Sequence, residues 1–499
     1  MQQPLNRLII LGGGTAGWMA AAAMSHQLRG TQVRIQLVES SAVGTVGVGE
    51  ATLPGLRNFN ASLGIDERAF IRATNATFKL GIRFEGWAGQ SSDIFHPFSD
   101  YGAPIAGTPF HQWFYRARAL GLDVGALHEY SFSAMLAGQQ RFAQPHAEPG
   151  NPLADYKYAF HFDATAYAAF LRHYAEARGV ERVDDRLTSV VKDPANGHIQ
   201  ALKLESGLEL AGDFFIDCSG FRSLLLGEAL SVPFEDWSHW LPVDGAYAVA
   251  AEPAPVLRPY TRAIARDGGW QWQIPLQHRT GNGSVFASRF IDESRVVEDL
   301  MAGLEGAATG SPNRIRFVTG RRQKFWEKNC VALGLASGFL EPLESTSIAL
   351  IQTGLSRLLM FLPLAGIDAA EVEEANRTAR IEMERIRDFL ILHYCRNGRQ
   401  GDLWEYCRNM PLPDSLAQKI ALFESRGHLQ QRELESFEPA SWLTFYEGFG
   451  VAPCQPDPAV LNASPDDIAR ALASMRSQIA SAANQPLSHA AFIARHCAA

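Results

Sequence analysis

The sequence predicts an α/β protein built on a parallel sheet, and three apolar runs carry that prediction. Residues 7–11 are mostly apolar and lead directly into glycines. Residues 33–38 form a second run that ends in the acid Glu39. Far downstream, Phe214-Phe215-Ile216 enters another glycine turn, Asp217-Cys218-Ser219-Gly220. Short, continuous apolar runs suit strands buried on both faces, as parallel strands are. Between the first two runs, residues 18–24 are rich in Ala and Met and read as the crossover helix.

The first turn, Gly12-Gly13-Gly14-Thr15-Ala16-Gly17, satisfies G-x-G-x-x-G at Gly12, Gly14 and Gly17. In a strand–turn–helix unit the first glycine makes the tight turn and the second lets backbone approach a pyrophosphate. The third lets helix and strand pack closely, with the phosphates at the helix N-terminus. Glu39 stands 22 residues beyond Gly17, where a ribose hydroxyl needs an acceptor. An acid there disfavours the 2′-phosphate of NADP. The turn alone leaves FAD and NAD both open. The glycine-rich stretch from Gly44 through Gly47 and Glu50-Ala51 to Thr52 is either a surface loop or a cover over an extended cofactor.

Composition narrows the partners. The 499 residues carry a net charge of −8 with no dense basic stretch, so no nucleic-acid partner is expected. The six cysteines are far apart and form no C-x-x-C pair, so neither a metal site nor a disulfide scaffold is expected, and a reduced, cytoplasmic setting fits. No signal-peptide pattern precedes the first strand. The apolar run 358–367 is too short to span a bilayer and contains Pro363, so no membrane association is expected.

Further along, residues 165–178 read as a helix. Residues 187–191, 199–204 and 208–210 read as short strands, with Asn196-Gly197 as a hairpin turn. A strand at 214–216 returning to the first sheet makes the cofactor domain discontinuous: 1–75, 155–230 and 325–370, with a sheet region inserted at 76–154 and 231–324. Residues 250–259, with three prolines, read as a loop or edge strand. Residues 371–394 read as a helix, and the region 371–499 as mostly helical.

Candidate chemistry lies in three places. In residues 77–85, Phe78, Leu80, Ile82 and Phe84 alternate with Lys79, Gly81, Arg83 and Glu85. The charged face is either solvated, or it delivers Lys79 from a rigid strand into a cavity as a catalytic amine. In residues 268–275, Trp270, Trp272 and Ile274 share a strand face, either as core or as a wall between a cofactor and a substrate. In residues 338–347, Pro342 fixes a turn, and Ser345, Thr346 or Ser347 caps a helix over 348–355. That helix start is either a cap alone or an anion site with Glu344 beside it as base or charge stabiliser.

Taken together, the glycine turn, the W-x-W-x-I-P of Trp270 to Pro275, and Pro342-Leu343-Glu344-Ser345-Thr346 resemble the flavin-dependent tryptophan halogenase family over nearly the whole chain. The resemblance implies a Rossmann-like, three-layer FAD-binding domain of the flavin-monooxygenase type, with a C-terminal region completing the substrate pocket. It implies FAD used as FADH2, delivered by a separate NAD(P)H-dependent flavin reductase. Chloride or bromide would be oxidised with O2 to hypohalous acid, which halogenates an electron-rich aromatic. Lys79 matches the lysine that holds the hypohalous acid or forms a haloamine, and Glu344 the glutamate that supports it and takes the ring proton. Thr346 and Ser347 fall at halide-binding positions. Trp270 and Trp272, with Ile274 and Pro275, match the separator between flavin and substrate. Beside Gly12, Gly13, Gly14, Thr15, Ala16 and Gly17, the FAD contacts implied are Glu39, Gly47, Glu50, Ala51, Leu187, Leu335, Ser345 and Ile348. His96 and Phe98 resemble an H-x-F segment lining the indole pocket, with Trp442, Tyr446 and Phe449 from the C-terminal region.

Two departures bear on specificity. Tryptophan-specific members usually carry glycine where Ser347 stands here, which leaves the halide preference open between bromide and chloride, with bromide the expected one. They also carry paired tyrosines and an acid that clamp the amino-acid backbone, whereas this chain has only Tyr446 and Glu447 in that stretch. Indole or a substituted indole is therefore the expected substrate, with free L-tryptophan as runner-up. A flavin-dependent aromatic monooxygenase and a non-catalytic flavin-binding protein rank lower. The oligomeric state, a homodimer included, is left open.

Overall fold

The apolar N-terminal run becomes the strand Arg7–Leu11, flanked in parallel by Arg34–Glu39 and by Phe214–Asp217. These elements belong to a computed structural model that describes residues 5–42, 50–146 and 156–497. Gly47 lies outside the described residues. The chain divides into two compact units, the first drawn from Met1–Ala76, Phe162–Asp244 and Arg316–Glu384 and the second from the intervening segments and the C-terminal region.

In the first unit the strands run in the order Trp326–Glu327, Cys330–Ala332, Phe214–Asp217, Arg7–Leu11, Arg34–Glu39, Glu181–Asp184. All neighbours are parallel except the first pair. The central strand residues Leu8, Ile9 and Ile10 are fully buried, as unbroken apolar runs require. Helix Thr15–Gln27 packs beside helix Ala164–Glu176, whose start is capped by Asp163. The Asn196-Gly197 turn joins the antiparallel strands Leu187–Lys192 and Ile199–Leu204, and Gly197 takes the positive φ (77°) the turn requires.

Asp217 ties the sheet to the turn after it. Its buried carboxylate accepts from Ser219 N at 3.0 Å, Ser219 Oγ at 2.5 Å, Leu225 N at 2.9 Å and Leu226 N at 2.8 Å. Asp217→Ala strands several of these donors and is expected to lower stability by about 3 kcal/mol, measured by urea unfolding, with Asp217→Asn losing less.

In the second unit a seven-stranded sheet runs Asn313–Arg316, Gly245–Ala251, Thr280–Phe286, Gly269–Pro275, Thr261–Arg266, Gly81–Glu85, Asp93–Pro97. The single strand expected over 77–85 is in fact two, Thr77–Lys79 and Gly81–Glu85. Leu80 is the break: its N–H donates to Pro259 O at 2.7 Å and its carbonyl accepts from Phe98 N at 2.9 Å. Thr77–Lys79 pairs antiparallel with Ala159–Phe162, whereas Gly81–Glu85 joins the large sheet. The solvated-face reading fails at Lys79, which is completely buried, whereas Arg83 and Glu85 keep part of their side chains open; strand alternation cannot reveal which positions of a face the rest of the chain covers. Helices Asp414–Arg426, Pro439–Gly448 and His489–His496 follow in the C-terminal region.

Among the described residues no helix is long and apolar enough to cross a membrane, and no group of His, Cys, Asp or Glu is placed to hold a metal ion. None of the six cysteines forms a disulfide.

Candidate active site

The glycine turn of the first unit has the shape its motif demands. Gly12 takes φ +114°, and a Cβ there would lie 2.2 Å from Cys218 O. A Cβ on Gly17 would lie 1.8 Å from Gly12 O, so only glycine lets helix and turn approach this closely. Gly14 differs: nothing stands within 4 Å of its missing Cβ. It occupies the N-cap of helix Thr15–Gln27, so no side chain caps the first helical N–H groups, and the space beside Gly14 is open. A pyrophosphate fits this cradle in shape and in charge.

Glu39 reaches back over the turn. Its Oε2 accepts from Trp18 Nε1 at 3.3 Å and its Oε1 pairs with Arg182. A Cβ on Gly13 would collide with this carboxylate, so Gly13 is constrained although the motif leaves it variable. Sequence reasoning missed Arg182, because its strand lies about 140 residues away and carries no motif. Glu50 is densely surrounded, although part of its surface stays open, and burial raises its carboxyl to about 7. Ala51 is buried; Leu187 and Leu335 are half-buried.

The third candidate segment also folds in this unit. Pro342–Glu344 is a short 3-10 turn, Ser345 takes φ +60°, and helix Thr346–Met360 follows. Ser345 holds the N-cap position, but its side chain makes no capping bond, and the cap-only reading fails. Thr346 Oγ1 is buried with no hydrogen-bond partner among the described residues. A buried hydroxyl and uncapped N–H groups at a 15-residue helix are donors suited to a halide. Glu344 is completely buried, Ile348 is buried, and Ser347 is half-buried.

Lys79 lies in the second unit, in a shell of aromatic side chains. Its Nζ sits 5.2 Å from the Phe98 ring centroid, within cation–π range. Phe98 neighbours His96 at 6.4 Å, and His96 packs against Phe445 at 5.3 Å and Phe389 at 5.9 Å. Phe389 in turn meets Trp442 at 5.0 Å. Phe449 is half-buried and stacks at 5.9 Å on Phe445. The structure thus brings together His96, Phe98, Trp442, Tyr446 and Phe449 and adds Phe389 and Phe445, which the sequence did not single out. Their helical spacing reads as ordinary core. Trp442 Nε1 and Tyr446 OH are buried without a partner among the described residues, so two polar atoms in this shell are free to meet a ligand.

The residue two before Lys79 is held by a histidine. His161 Nδ1 bonds Thr77 Oγ1 at 3.0 Å and His161 Nε2 bonds Thr261 Oγ1 at 2.9 Å. Burial, reinforced by Lys79, pushes His161 well below the usual histidine range, so it stays neutral.

Trp270 and Trp272 are buried with ring centroids 6.0 Å apart, on a strand buried along its whole length through Ile274 and Pro275. A Cβ on Gly283 would meet the Trp272 ring at 2.0 Å, so the neighbouring strand makes room for this indole. Beneath Trp442, Lys419 Nζ lies 4.0 Å from the ring centroid and forms a buried ion pair with Glu435. Lys419→Met leaves that carboxylate buried without its cation, with the Arg432 backbone N–H still donating to it at 3.0 Å, and the expected stability loss is about 3 kcal/mol in chemical denaturation. Glu447 is already engaged: Arg118 Nη2 donates to it at 2.7 Å and Tyr115 OH at 3.0 Å.

The family profile described as "Tryptophan halogenase" matches residues 7–465. The chain belongs to the flavin-dependent tryptophan halogenase family. This halogenase is 47% identical to the solved flavin-dependent halogenase BrvH from Brevundimonas sp. BAL3, with a TM-score of 0.95 and 99% of each chain covered. A flavin-dependent halogenase from Xanthomonas campestris is 42% identical, with a TM-score of 0.95, covering 100% of this chain and 99% of that one. The tryptophan 6-halogenase SttH from Streptomyces toxytricini is 34% identical over 92% of both sequences. The α/β fold is that of flavin-dependent halogenases, and the protein is an enzyme of that kind. Family membership implies FAD, a halide and a flavin reductase.

Proposed function

We propose that this halogenase installs a halogen, bromide in preference to chloride, on indole or a substituted indole. The observation that carries the reading is Lys79, a completely buried amine with its Nζ over Phe98, the first ring of an aromatic cluster that runs through His96 to Phe445 and Phe389. The Gly12–Gly17 turn with Glu39, Glu50, Ala51, Leu187, Leu335, Ser345 and Ile348 would hold reduced FAD, which would activate O2 as the two-electron oxidant that turns halide into hypohalous acid. Thr346 and Ser347 hold the halide. Lys79 keeps the mobile, unselective oxidant beside one ring carbon, so positioning sets regiochemistry. Glu344 offsets positive charge on the ring and takes its proton. His96, Phe98, Trp442, Tyr446 and Phe449 hold the aromatic plane, while Trp270, Trp272, Ile274 and Pro275 keep it from the flavin.

Glu447 favours indole over free tryptophan. Its charge is matched by Arg118, and the carboxylate offers little to an amino-acid ammonium. Ser347 underlies the expected halide preference. A separate NAD(P)H-dependent reductase serves as partner in a cytoplasmic setting. Supplying FAD, a reductase, NADH and bromide or chloride to a panel of indoles and L-tryptophan is expected to give brominated indole as the main product by mass spectrometry. Absence of halogenated product across the panel would overturn the proposal. NADH oxidation by the purified protein alone would favour a single-component monooxygenase.

A further inference from the structure

The strand that carries Lys79 is only three residues long, and its position depends on groups far away in sequence. Strand Ala159–Phe162 pairs with one side of it, with Thr77 opposite His161 and Lys79 opposite Ala159. The Phe78 N–H is instead satisfied by a side chain, donating to His489 Nε2 at 3.1 Å. The other ring nitrogen of His489 faces Leu257 O at 2.9 Å. A carbonyl only accepts, and Nε2 is accepting from an amide, so the ring is neutral with its proton on Nδ1. On the far side of Lys79, the Leu80 N–H donates to Pro259 O at 2.7 Å. The amides on both sides of the lysine are therefore referred to one short segment, residues 257–259, directly at Leu80 and through the imidazole at Phe78.

The C-terminal segment that supplies His489 is itself firmly seated. His489 N donates to Gln140 O at 2.8 Å, and Phe142 N donates to Leu487 O at 3.1 Å. Ser488 caps helix His489–His496. From that helix Phe492 meets Phe78 edge-on at 5.5 Å and Phe142 at 4.9 Å, while Phe78 and Phe142 stack at 3.9 Å. Histidine is suited to this place: its neutral imidazole donates to a carbonyl from one side of a rigid plane and accepts from an amide on the other.

We propose that His489 is a positioning residue for halogenation, and that residues 487–496 clamp the Lys79 strand so that the ε-amine is held at one place in the aromatic shell. This rests on the halogenase reading with Lys79 as the oxidant-holding group. His489 touches neither substrate nor cofactor in this role; it acts through the Phe78 amide. Burial holds the imidazole down at about 4, so it remains neutral throughout the working range and acts as a fixed strut. A small displacement of the amine matters because effective concentration at a reacting centre falls steeply with misplacement.

The test compares His489→Ala with His489→Gln, which keeps a neutral donor and acceptor on one planar group. Amide hydrogen exchange is read at Phe78, and kcat, substrate KM and FAD affinity are read on the full enzyme with a reductase. His489→Ala is expected to accelerate exchange at Phe78 and to lower kcat by about 10- to 100-fold, the scale of a loosened catalytic group, with KM and FAD affinity unchanged. His489→Gln is expected to recover much of both losses. Wild-type kcat in His489→Ala overturns the proposal, as does a loss that His489→Gln fails to reduce. If His489→Ala does not fold, Phe492→Leu loosens the same clamp; a lower kcat at unchanged FAD affinity then supports it, and wild-type kcat overturns it. If wild-type enzyme halogenates nothing, the functional reading fails, and unchanged Phe78 exchange in His489→Ala would separately remove the clamp.

Discussion

Lys79→Met abolishes halogenation, lowering product formation by more than about 1,000-fold, or about 4 kcal/mol of transition-state stabilisation, while FAD binding stays at the wild-type level. Methionine is chosen because it fills the space of a completely buried side chain and leaves no cavity under the aromatic shell. It removes only the amine that holds the oxidant. Lys79→Ala gives the same loss of product but also opens a void beside Phe98, with a fall in melting temperature that Lys79→Met avoids. Retained halogenation in either variant would remove Lys79 from its role. The expected split between lost chemistry and intact cofactor binding also follows from the chain itself, since Lys79 and the glycine turn belong to different compact units.

The sequence made the glycine turn and the parallel strands around it legible because their constraints are local. A tight turn, a close helix contact and a strand buried on both faces each demand particular residue types within a few positions. Lys79 was half legible: alternation over residues 77–85 placed it on a face, but what covers that face comes from elsewhere in the chain. The break at Leu80 was not legible at all, because it is imposed by Pro259 and Phe98. The same holds for Arg182 against Glu39 and for His489 against Phe78, pairs separated by 143 and 411 residues. Glu447 was read as a group that could clamp a substrate; Arg118 and Tyr115, over 300 residues away, engage it first. Tertiary partners of single polar groups leave no periodic trace in sequence, and the aromatic shell of Phe389 and Phe445 hides in ordinary helical spacing.

Gly14→Ala separates cofactor binding from folding in a way Gly17→Ala cannot. At Gly17 an added Cβ would sit 1.8 Å from Gly12 O, so the turn and helix must move apart and the protein loses stability along with FAD. At Gly14 the backbone has φ −75° and ψ −173°, which alanine adopts without strain, and nothing in the protein lies within 4 Å of the new methyl group. The methyl group would instead enter the open space in front of the helix N-terminus, where we propose that the pyrophosphate lies. The expected result is an apo protein within about 0.5 kcal/mol of wild type by urea unfolding, whose FAD affinity is weaker by about 100-fold, or about 2.7 kcal/mol. Fluorescence titration with FAD reads the affinity. Wild-type affinity in Gly14→Ala would mean that the phosphates do not approach this backbone, and the cofactor would have to be placed elsewhere. Halogenation by Gly14→Ala should recover as FAD is raised, because Lys79, Glu344 and the aromatic shell are untouched; this recovery distinguishes a weakened cofactor site from lost catalysis.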